Sequence, residues 1–220
     1  DHALALGKAL LELVPGIGGS ISTLISDYVP TSTEKSIRIA FENFAERLDT
    51  LRERVDTKSI DPDEFADLFK KCLWVATNTS RKEKLAAVAA VLTNSVLKKG
   101  DPEKLPIGKL DYYVRCLDAL SAPSLCLLCD AYRLSREERG GNGRVDFDRL
   151  TASIGDDDYA MGLLMELHGF NLLSVGSAPT VTYASKPYSN YPIRMNQLGA
   201  QFVERIFSQS RLSTFRPAHT

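Results

Sequence analysis

Two stretches near the carboxyl terminus decide the fold: Gly169-Phe170-Asn171-Leu172-Leu173 and Ile193-Arg194-Met195-Asn196-Gln197-Leu198-Gly199-Ala200-Gln201-Phe202-Val203. The first begins a β-prone segment, Phe170 to Val175, which Gly176-Ser177-Ala178-Pro179 separates from a second one, Thr180 to Ala184. Glycine and proline between two such segments are typical of a hairpin. The second stretch is predicted to finish the sheet and to begin a helix capped by Asn196, with four inward residues: Leu198, Phe202, Val203 and Ile206.

The residues before this hairpin predict two further helices. Val145-Asp146-Phe147-Asp148 indicates a short extended piece that leads into a small helix. Asp156-Asp157-Asp158 then caps a helix from Tyr159 to His168, and Gly169 is placed to end it. The predicted order over residues 144–208 is therefore helix, helix, hairpin, helix, followed by a mobile tail at 209–220.

This order and the run from Ile193 to Val203 resemble the wing and closing helix of bacterial winged-helix domains. In that family a Thr or Asn, then Leu-Gly, then an aromatic residue introduces the final helix, as Asn196, Leu198-Gly199 and Phe202 do here. The resemblance covers about the last third of the chain. It implies an α+β module whose function stays open, because winged helices bind DNA, dock proteins or act as structural caps.

Working towards the amino terminus, the pattern predicts a helical bundle over residues 1–138. Apolar residues recur every three or four positions from Glu34 to Val55, and further amphipathic helices follow as far as Leu134. Asp61-Pro62 and the capping box Ser80-Arg81-Lys82-Glu83 predict two of the helix starts. Arg139-Gly140-Gly141-Asn142-Gly143 breaks the helical pattern, so a module boundary is expected there. The predicted fold class is mainly α, a helical bundle followed by a winged-helix-like module.

The first thirty residues form a separate feature. Ala3 to Val29 carries few charges and is interrupted at Pro15-Gly16-Ile17-Gly18-Gly19, which predicts an apolar helical hairpin. Each arm has only about 11 or 12 residues, too few to cross a bilayer alone. The bend at Pro15, Gly16, Gly18 and Gly19 is therefore predicted to pack on the bundle, to contact a partner or to enter a membrane surface.

A second resemblance covers more of the chain. Val14-Pro15-Gly16-Ile17-Gly18-Gly19 and the helix from Glu83-Lys84-Leu85-Ala86-Ala87 to Asn94 are similar to segments of bacterial abortive-infection alpha proteins. This resemblance implies a role in phage defence.

Composition sets wider limits. Lys and Arg number 27 and Asp and Glu 28, so net charge indicates no nucleic-acid partner. All four cysteines lie in predicted helices, which indicates a reducing, cytoplasmic setting, with membrane association left open by the amino-terminal segment. The chain begins at Asp1 without a methionine, a basic segment or a cleavage motif, so the amino terminus is expected to have been cut by truncation or processing, which leaves targeting open.

No set of residues indicates catalysis. Cys126-Leu127-Leu128-Cys129 lacks a second ligand pair and a preceding strand, so the two cysteines are predicted to be buried hydrophobes. Asp146, Asp148 and Asp156 to Asp158 lack the spacing of a calcium loop, and helix capping explains them. We therefore predict no enzyme, no cofactor and no metal.

The predicted reading helix argues against DNA binding. It contains no Arg, Lys, Asn or Gln and follows three aspartates, and residues 140–208 hold five basic and seven acidic side chains. A protein partner or self-association fits better, through Met161 and Met165 and through a wing loop that carries Lys186, Tyr188, Tyr191 and Arg194. The leading prediction is a non-enzymatic interaction or regulatory module. A membrane-active effector is the alternative, and a DNA-binding regulator ranks below it.

Overall fold

The structure, a computed structural model, describes residues 34–56, 60–137, 144–176, 188 and 191–207. These residues are mainly helical, with one small antiparallel sheet. The chain divides into two compact units, Asp1–Ala119 and Leu120–Thr220. This division falls earlier in the chain than the boundary expected after residue 138.

The first unit contains four described α-helices. They are α1 (Glu34–Thr50), α2 (Pro62–Thr77), α3 (Lys82–Ser95) and α4 (Ile107–Ala119), with a short 3-10 helix at Arg52–Arg54. Asp61 caps α2 as predicted, because its carboxylate accepts hydrogen bonds from the backbone N–H groups of Asp63 and Glu64 at 3.0 Å. The predicted helix to Val55 ends earlier, and Val55 instead forms a β-bridge with Leu97.

Helix α3 lies at the centre of the first unit. It packs against α1, α2 and α4, and every residue from Leu85 to Ser95 is buried. The spacing of Leu85, Val88 and Leu92 in the sequence predicts one inward face, and the alanines Ala86, Ala87, Ala89 and Ala90 predict a further side that another helix can approach closely. Alanines between the larger residues allow neighbouring helices to approach on the remaining sides, so a helix that is apolar nearly all round becomes fully covered.

A polar clamp holds the loop after α3. The guanidinium of Arg54 donates two hydrogen bonds to the Asp101 carboxylate, at 2.7 and 2.8 Å, and also contacts Glu103 at 3.0 Å. The buried Asn94 side chain donates to the Glu103 carbonyl and accepts from the backbone N–H of Leu105, each at 2.8 Å. The loop is therefore fixed by paired polar groups.

The second unit begins with α5 (Ala122–Glu137), which the sequence analysis had assigned to the bundle. It packs against elements that follow it in the chain: β1 (Arg144–Val145), α6 (Phe147–Thr151), α7 (Asp157–Gly169), β3 (Ile193–Met195) and α8 (Gln197–Ile206). Its buried residues, Leu128 and Ala131 among them, form the centre of this core. The periodicity showed that α5 has a buried face but not which elements cover it.

The sheet has the order β1-β3-β2, where β2 is Leu173–Val175, and all neighbours are antiparallel. Ile193 pairs with Val145 on one side and Val175 on the other; Ile193 and Val145 are buried in the core and Val175 is half-buried. The next row places Arg194 between Arg144 and Ser174, with both arginines exposed. Strand β3 thus lies where the sequence suggested the sheet would finish, whereas the second hairpin segment, Thr180 to Ala184, lies outside the described residues.

A close contact joins the start of α8 to the end of α7. A Cβ added at Gly199 would lie 2.1 Å from the Leu172 carbonyl oxygen, so only glycine fits. The predicted cap residue Asn196 does not cap α8 with its side chain. That side chain instead donates to the carbonyl and side-chain oxygens of Asn171, at 3.0 and 2.8 Å, and accepts from Ser174 at 2.5 Å.

Candidate functional site

Helix α7 has one buried and one exposed face. Its start is capped as predicted, since Asp156 accepts a hydrogen bond from the backbone N–H of Tyr159 at 2.9 Å. Asp157 and Asp158 follow in the first turn, where the positive end of the helix dipole favours them. Four residues point into the core of the unit: Ala160, Leu163, Leu164 and Leu167.

Tyr159 and Met165 lie on the exposed side of α7. They are 51% and 49% exposed, and among the described residues only Trp74, at 62%, is a comparably exposed large hydrophobic side chain. Gly162 lies between them along the helix and is also exposed. A Cβ added there would meet nothing within 4 Å, so no contact inside the described part of the chain requires a glycine. We call Tyr159, Gly162 and Met165 the α7 ridge.

The two methionines predicted as partner contacts differ in exposure. Met165 belongs to the α7 ridge, whereas Met161 is half-buried. The exposure of Tyr159 was not predicted from the sequence. A spacing of six residues is about 1.7 helical turns, which leaves Tyr159 and Met165 about 120° apart around the helix axis, at the two edges of the exposed face, with Gly162 between them.

Polar contacts fix α7 at its carboxyl end. The Glu166 carboxylate accepts a hydrogen bond from the hydroxyl of the buried Ser124, at 2.6 Å, at the start of α5. The backbone N–H of Val175 lies 3.3 Å from Nδ1 of His168. These bonds connect α7 to α5 and to the sheet, so the α7 ridge rests on a rigid support.

The predicted contact residues of the wing loop differ in whether they pack within the unit or are exposed. The Tyr188 hydroxyl donates to Asp158 at 2.6 Å, and its ring centroid lies 5.8 Å from those of Phe147 and Tyr191. The hydrogen bond to Asp158 raises the pKa of Tyr188 above its ordinary value of 10.0. Both tyrosines therefore make contacts within the unit, while Arg194 is exposed on the sheet.

Five of the predicted contact residues lie outside the described residues. They are Lys186 of the wing loop and Pro15, Gly16, Gly18 and Gly19 of the amino-terminal hairpin.

An acidic recess of about 390 Å³ adjoins the start of α7. Asp148, Asp156, Asp157, Asp158 and Tyr188 contribute to its wall. Asp156 caps a helix and Asp158 binds Tyr188, so two of these carboxylates already have structural partners. No cluster of His, Cys, Asp or Glu suited to a metal ion occurs within the described ranges.

Cys116 and Cys129 are poor nucleophiles in this setting. Cys129 is buried and Cys126 half-buried, and desolvation raises the pKa of the Cys129 thiol well above its ordinary value of 9.0. Burial also raises the pKa of Cys116 to about 12. A thiol is reactive mainly as the thiolate, which burial disfavours at neutral pH.

Two further findings concern membrane spans and similarity to known proteins. Within the part of the chain that the structure describes, no helix is both long and apolar enough to span a membrane. Comparison with protein-family models, with curated proteins and with solved structures finds no match.

Proposed function

We propose that the second unit is a winged-helix-like docking module, and that it binds another protein chain through the α7 ridge without catalysing a reaction. The exposure of Tyr159 and Met165 on one well-supported helix is the observation that carries this proposal. Large apolar side chains on an exposed helix face are typical anchors of protein interfaces. The order α6, α7, β2, β3, α8 is the order of helices and strands expected of a winged helix.

The charges around α7 favour protein over nucleic acid. The helix begins after Asp156, contains Asp157, Asp158 and Glu166, and carries no Lys or Arg. Duplex DNA would bring phosphates against these carboxylates, whereas affinity for DNA depends on cations placed at the phosphates. Arg144 and Arg194 lie together on the sheet, which is the one described feature that favours an anionic partner.

Site-directed photo-crosslinking on the full chain tests the proposal. A photoreactive residue at Met165 is expected to give a discrete crosslink to a second protein in an extract of the source cells. The same residue at Trp74, which is more exposed than Met165 but lies in the first unit, serves as the matched control and is expected to give none. Equal crosslinking at both positions would contradict the proposal. So would low-salt binding to a DNA duplex that the substitution Met165→Ala weakens.

The two remaining predictions, a membrane-active effector and a role in phage defence, depend on the sequence alone. A membrane-active effector depends on residues 1–30, which lie outside the described residues, and therefore stays a prediction. Leakage of anionic vesicles by the full chain would support it. Membership of the abortive-infection group and a role in phage defence also stay predictions.

A further inference from the structure

We propose that the partner of the α7 ridge is a positively charged amphipathic helix of another protein, whose apolar residue enters the gap at Gly162. This inference rests on the proposed docking function and names the chemical class of the partner. It combines the shape of the ridge with the sign of the charge beside it.

The shape follows from three residues spaced three positions apart across the exposed face of α7. Tyr159 and Met165 project on either side of Gly162, where the absence of a side chain leaves open space. A glycine within a helix costs about 1 kcal/mol of stability relative to alanine. No neighbour inside the described ranges explains this cost, and a gap between two apolar projections lets the backbone of a second helix come close.

The charge beside the ridge selects a basic partner. Asp157 and Asp158 lie in the first turn of α7, directly before Tyr159, and they line the acidic recess together with Asp148 and Asp156. All four residues are exposed, so a cation that approaches the start of the ridge meets several carboxylates. Lys or Arg residues near one end of the partner helix would complement them.

A second copy of the same chain fits less well on this surface. In a twofold symmetric dimer the same patch of both copies meets itself. Antiparallel ridges would keep both acidic ends at the edges of a small contact, and parallel ridges would oppose Asp157 and Asp158 with their own equivalents. Neither arrangement supplies a cation.

The size of the ridge indicates a transient complex. Stable interfaces bury roughly 1,200 Å² or more, and two half-exposed side chains are only the centre of a smaller contact. The expected dissociation constant is on the order of 10 μM or weaker. Because the attraction is electrostatic and partly solvent-exposed, added salt is expected to weaken it further.

The experiment uses the full chain and two designed probe peptides. One is two repeats of Leu-Lys-Lys-Leu-Leu-Lys-Leu, which forms a basic amphipathic helix, and the other has glutamate at every lysine position. Fluorescence anisotropy of each labelled peptide measures binding. The lysine peptide is expected to bind, and the glutamate peptide to show no binding at the same concentrations. Equal binding of both would overturn the inference.

Variants locate the binding. Met165→Ala and Asp157→Asn are each expected to weaken binding of the lysine peptide about fivefold. The matched controls, Trp74→Ala for the apolar residue and Asp118→Asn for the carboxylate, lie in the first unit and are expected to change nothing. If a control weakens binding as much as its counterpart on α7, the peptide binds elsewhere and the inference is wrong.

Gly162→Ala separates binding from folding. The added methyl group has space in the structure and improves helix propensity, so the midpoint of thermal unfolding should rise. The same group fills the gap, so the lysine peptide should bind about fivefold more weakly. A variant that gains stability and binds the peptide unchanged would overturn the role given to the gap.

Two outcomes would show that something other than a basic helix of another protein occupies the α7 ridge. Residues 208–220 contain Arg211, Leu212, Phe215 and Arg216 and no acidic residue, so they have a chemistry similar to the probe. If deletion of residues 209–220 tightens binding of the lysine peptide about fivefold or more, the chain's own tail is the occupant and a separate partner is ruled out. If neither peptide binds while the crosslink from Met165 persists, the docking function stands and the charge class is wrong.

Discussion

In the first unit, helix α3 is buried on every side, whereas in the second unit helix α7 buries one face and exposes the other. The two helices are of similar length and are both rich in apolar residues. Small alanines in α3 allow three neighbouring helices to cover it. The loop that follows α3 is held in place by Arg54, Asp101 and Asn94. In α7, Tyr159 and Met165 remain uncovered within the described structure.

The difference shows that apolar residues of a helix can serve either the stability of the unit or the binding of a partner. Apolar residues all round α3 serve the stability of the unit, because every side has a neighbouring helix. The apolar residues outside the core-facing stripe of α7 do not contribute to the core. The first unit is therefore expected to respond to mutation through stability, and the exposed side of α7 through binding.

The largest expected effect tests whether α3 is buried on all sides. Val91 lies outside the face indicated by the sequence pattern and is fully buried. Val91→Asp should destabilise the first unit by about 4 kcal/mol or more, because it buries an unpaired charge. Urea unfolding followed by the fluorescence of Trp74, the only tryptophan, measures this change. Val88→Asp, on the indicated face, is the comparison. A Val91→Asp variant within about 1 kcal/mol of the parent would mean that this side of α3 is open.

A pair of glycine substitutions tests, inside the second unit, the contrast between a closely packed position and an exposed one. Gly199→Ala forces a Cβ against the Leu172 carbonyl and should cost about 3 kcal/mol, since the backbone of α8 must move. Gly162→Ala, on the exposed side of α7, should instead stabilise by about 0.5 to 1 kcal/mol. Hydrogen exchange measured by mass spectrometry over residues 191–207 reports both. Similar stability in the two variants would contradict the close approach at Gly199.

Alkaline pH is expected to lower the free energy of unfolding by different amounts in the two units. Cys72 and Cys116 in the first unit and Cys129 in the second have pKa values raised by burial above the ordinary 9.0. Above pH 9 the unfolded chain loses these protons while the folded chain keeps them, so the free energy of unfolding falls as pH rises. Each thiol contributes about 1 kcal/mol at one pH unit above 9.

The first unit should therefore lose about twice as much stability as the second between pH 9 and pH 10. Unfolding of each unit at several pH values, followed by Trp74 fluorescence and by hydrogen exchange in the second unit, gives the two slopes. Cys72→Ala should flatten the slope of the first unit alone. Equal slopes in the parent and in this variant would show that Cys72 titrates normally.

The smallest expected effect concerns the start of α7. Asp156→Ala removes the side-chain cap and should destabilise the second unit by about 1 kcal/mol, with the first unit unchanged. Asp156→Asn keeps an acceptor oxygen and is expected to restore most of the loss. Thermal unfolding of the three proteins at neutral pH measures the difference. If the asparagine variant is as unstable as the alanine variant, charge and not capping is what Asp156 supplies.

Local chemistry made several features predictable. Asp61 and Asp156 cap the helices that follow them, because the first backbone N–H groups of a helix need an acceptor wherever the helix lies. The capping box at Ser80 was wrong: α3 begins after Arg81, which has no side-chain cap. Asn196 does occupy the N-cap position of α8, but its side chain makes no cap hydrogen bond, since Asn171 and Ser174 of the folded unit occupy it.

The candidate site was predicted only in part. Met165 was identified, but Tyr159 was not, and Met161 proved half-buried. Tyr188 and Tyr191 were predicted as partner contacts of the wing loop, and in the structure Tyr188 packs at a tilted angle against Phe147 and Tyr191 against Tyr188. Exposure of a single side chain depends on which neighbours cover it, and those neighbours lie up to several tens of residues away in the chain.

The sequence by itself determined the helices, their caps at Asp61 and Asp156, and the approximate position of the sheet, because these follow from contacts between residues a few positions apart. The tertiary structure alone decided that α5 belongs to the second unit, that α3 is covered on all sides and that Gly199 meets Leu172. Hydrophobic periodicity records that a side chain is buried but carries no information about its partner. The partner is selected by the packing of distant segments, and the same packing leaves Tyr159 and Met165 exposed.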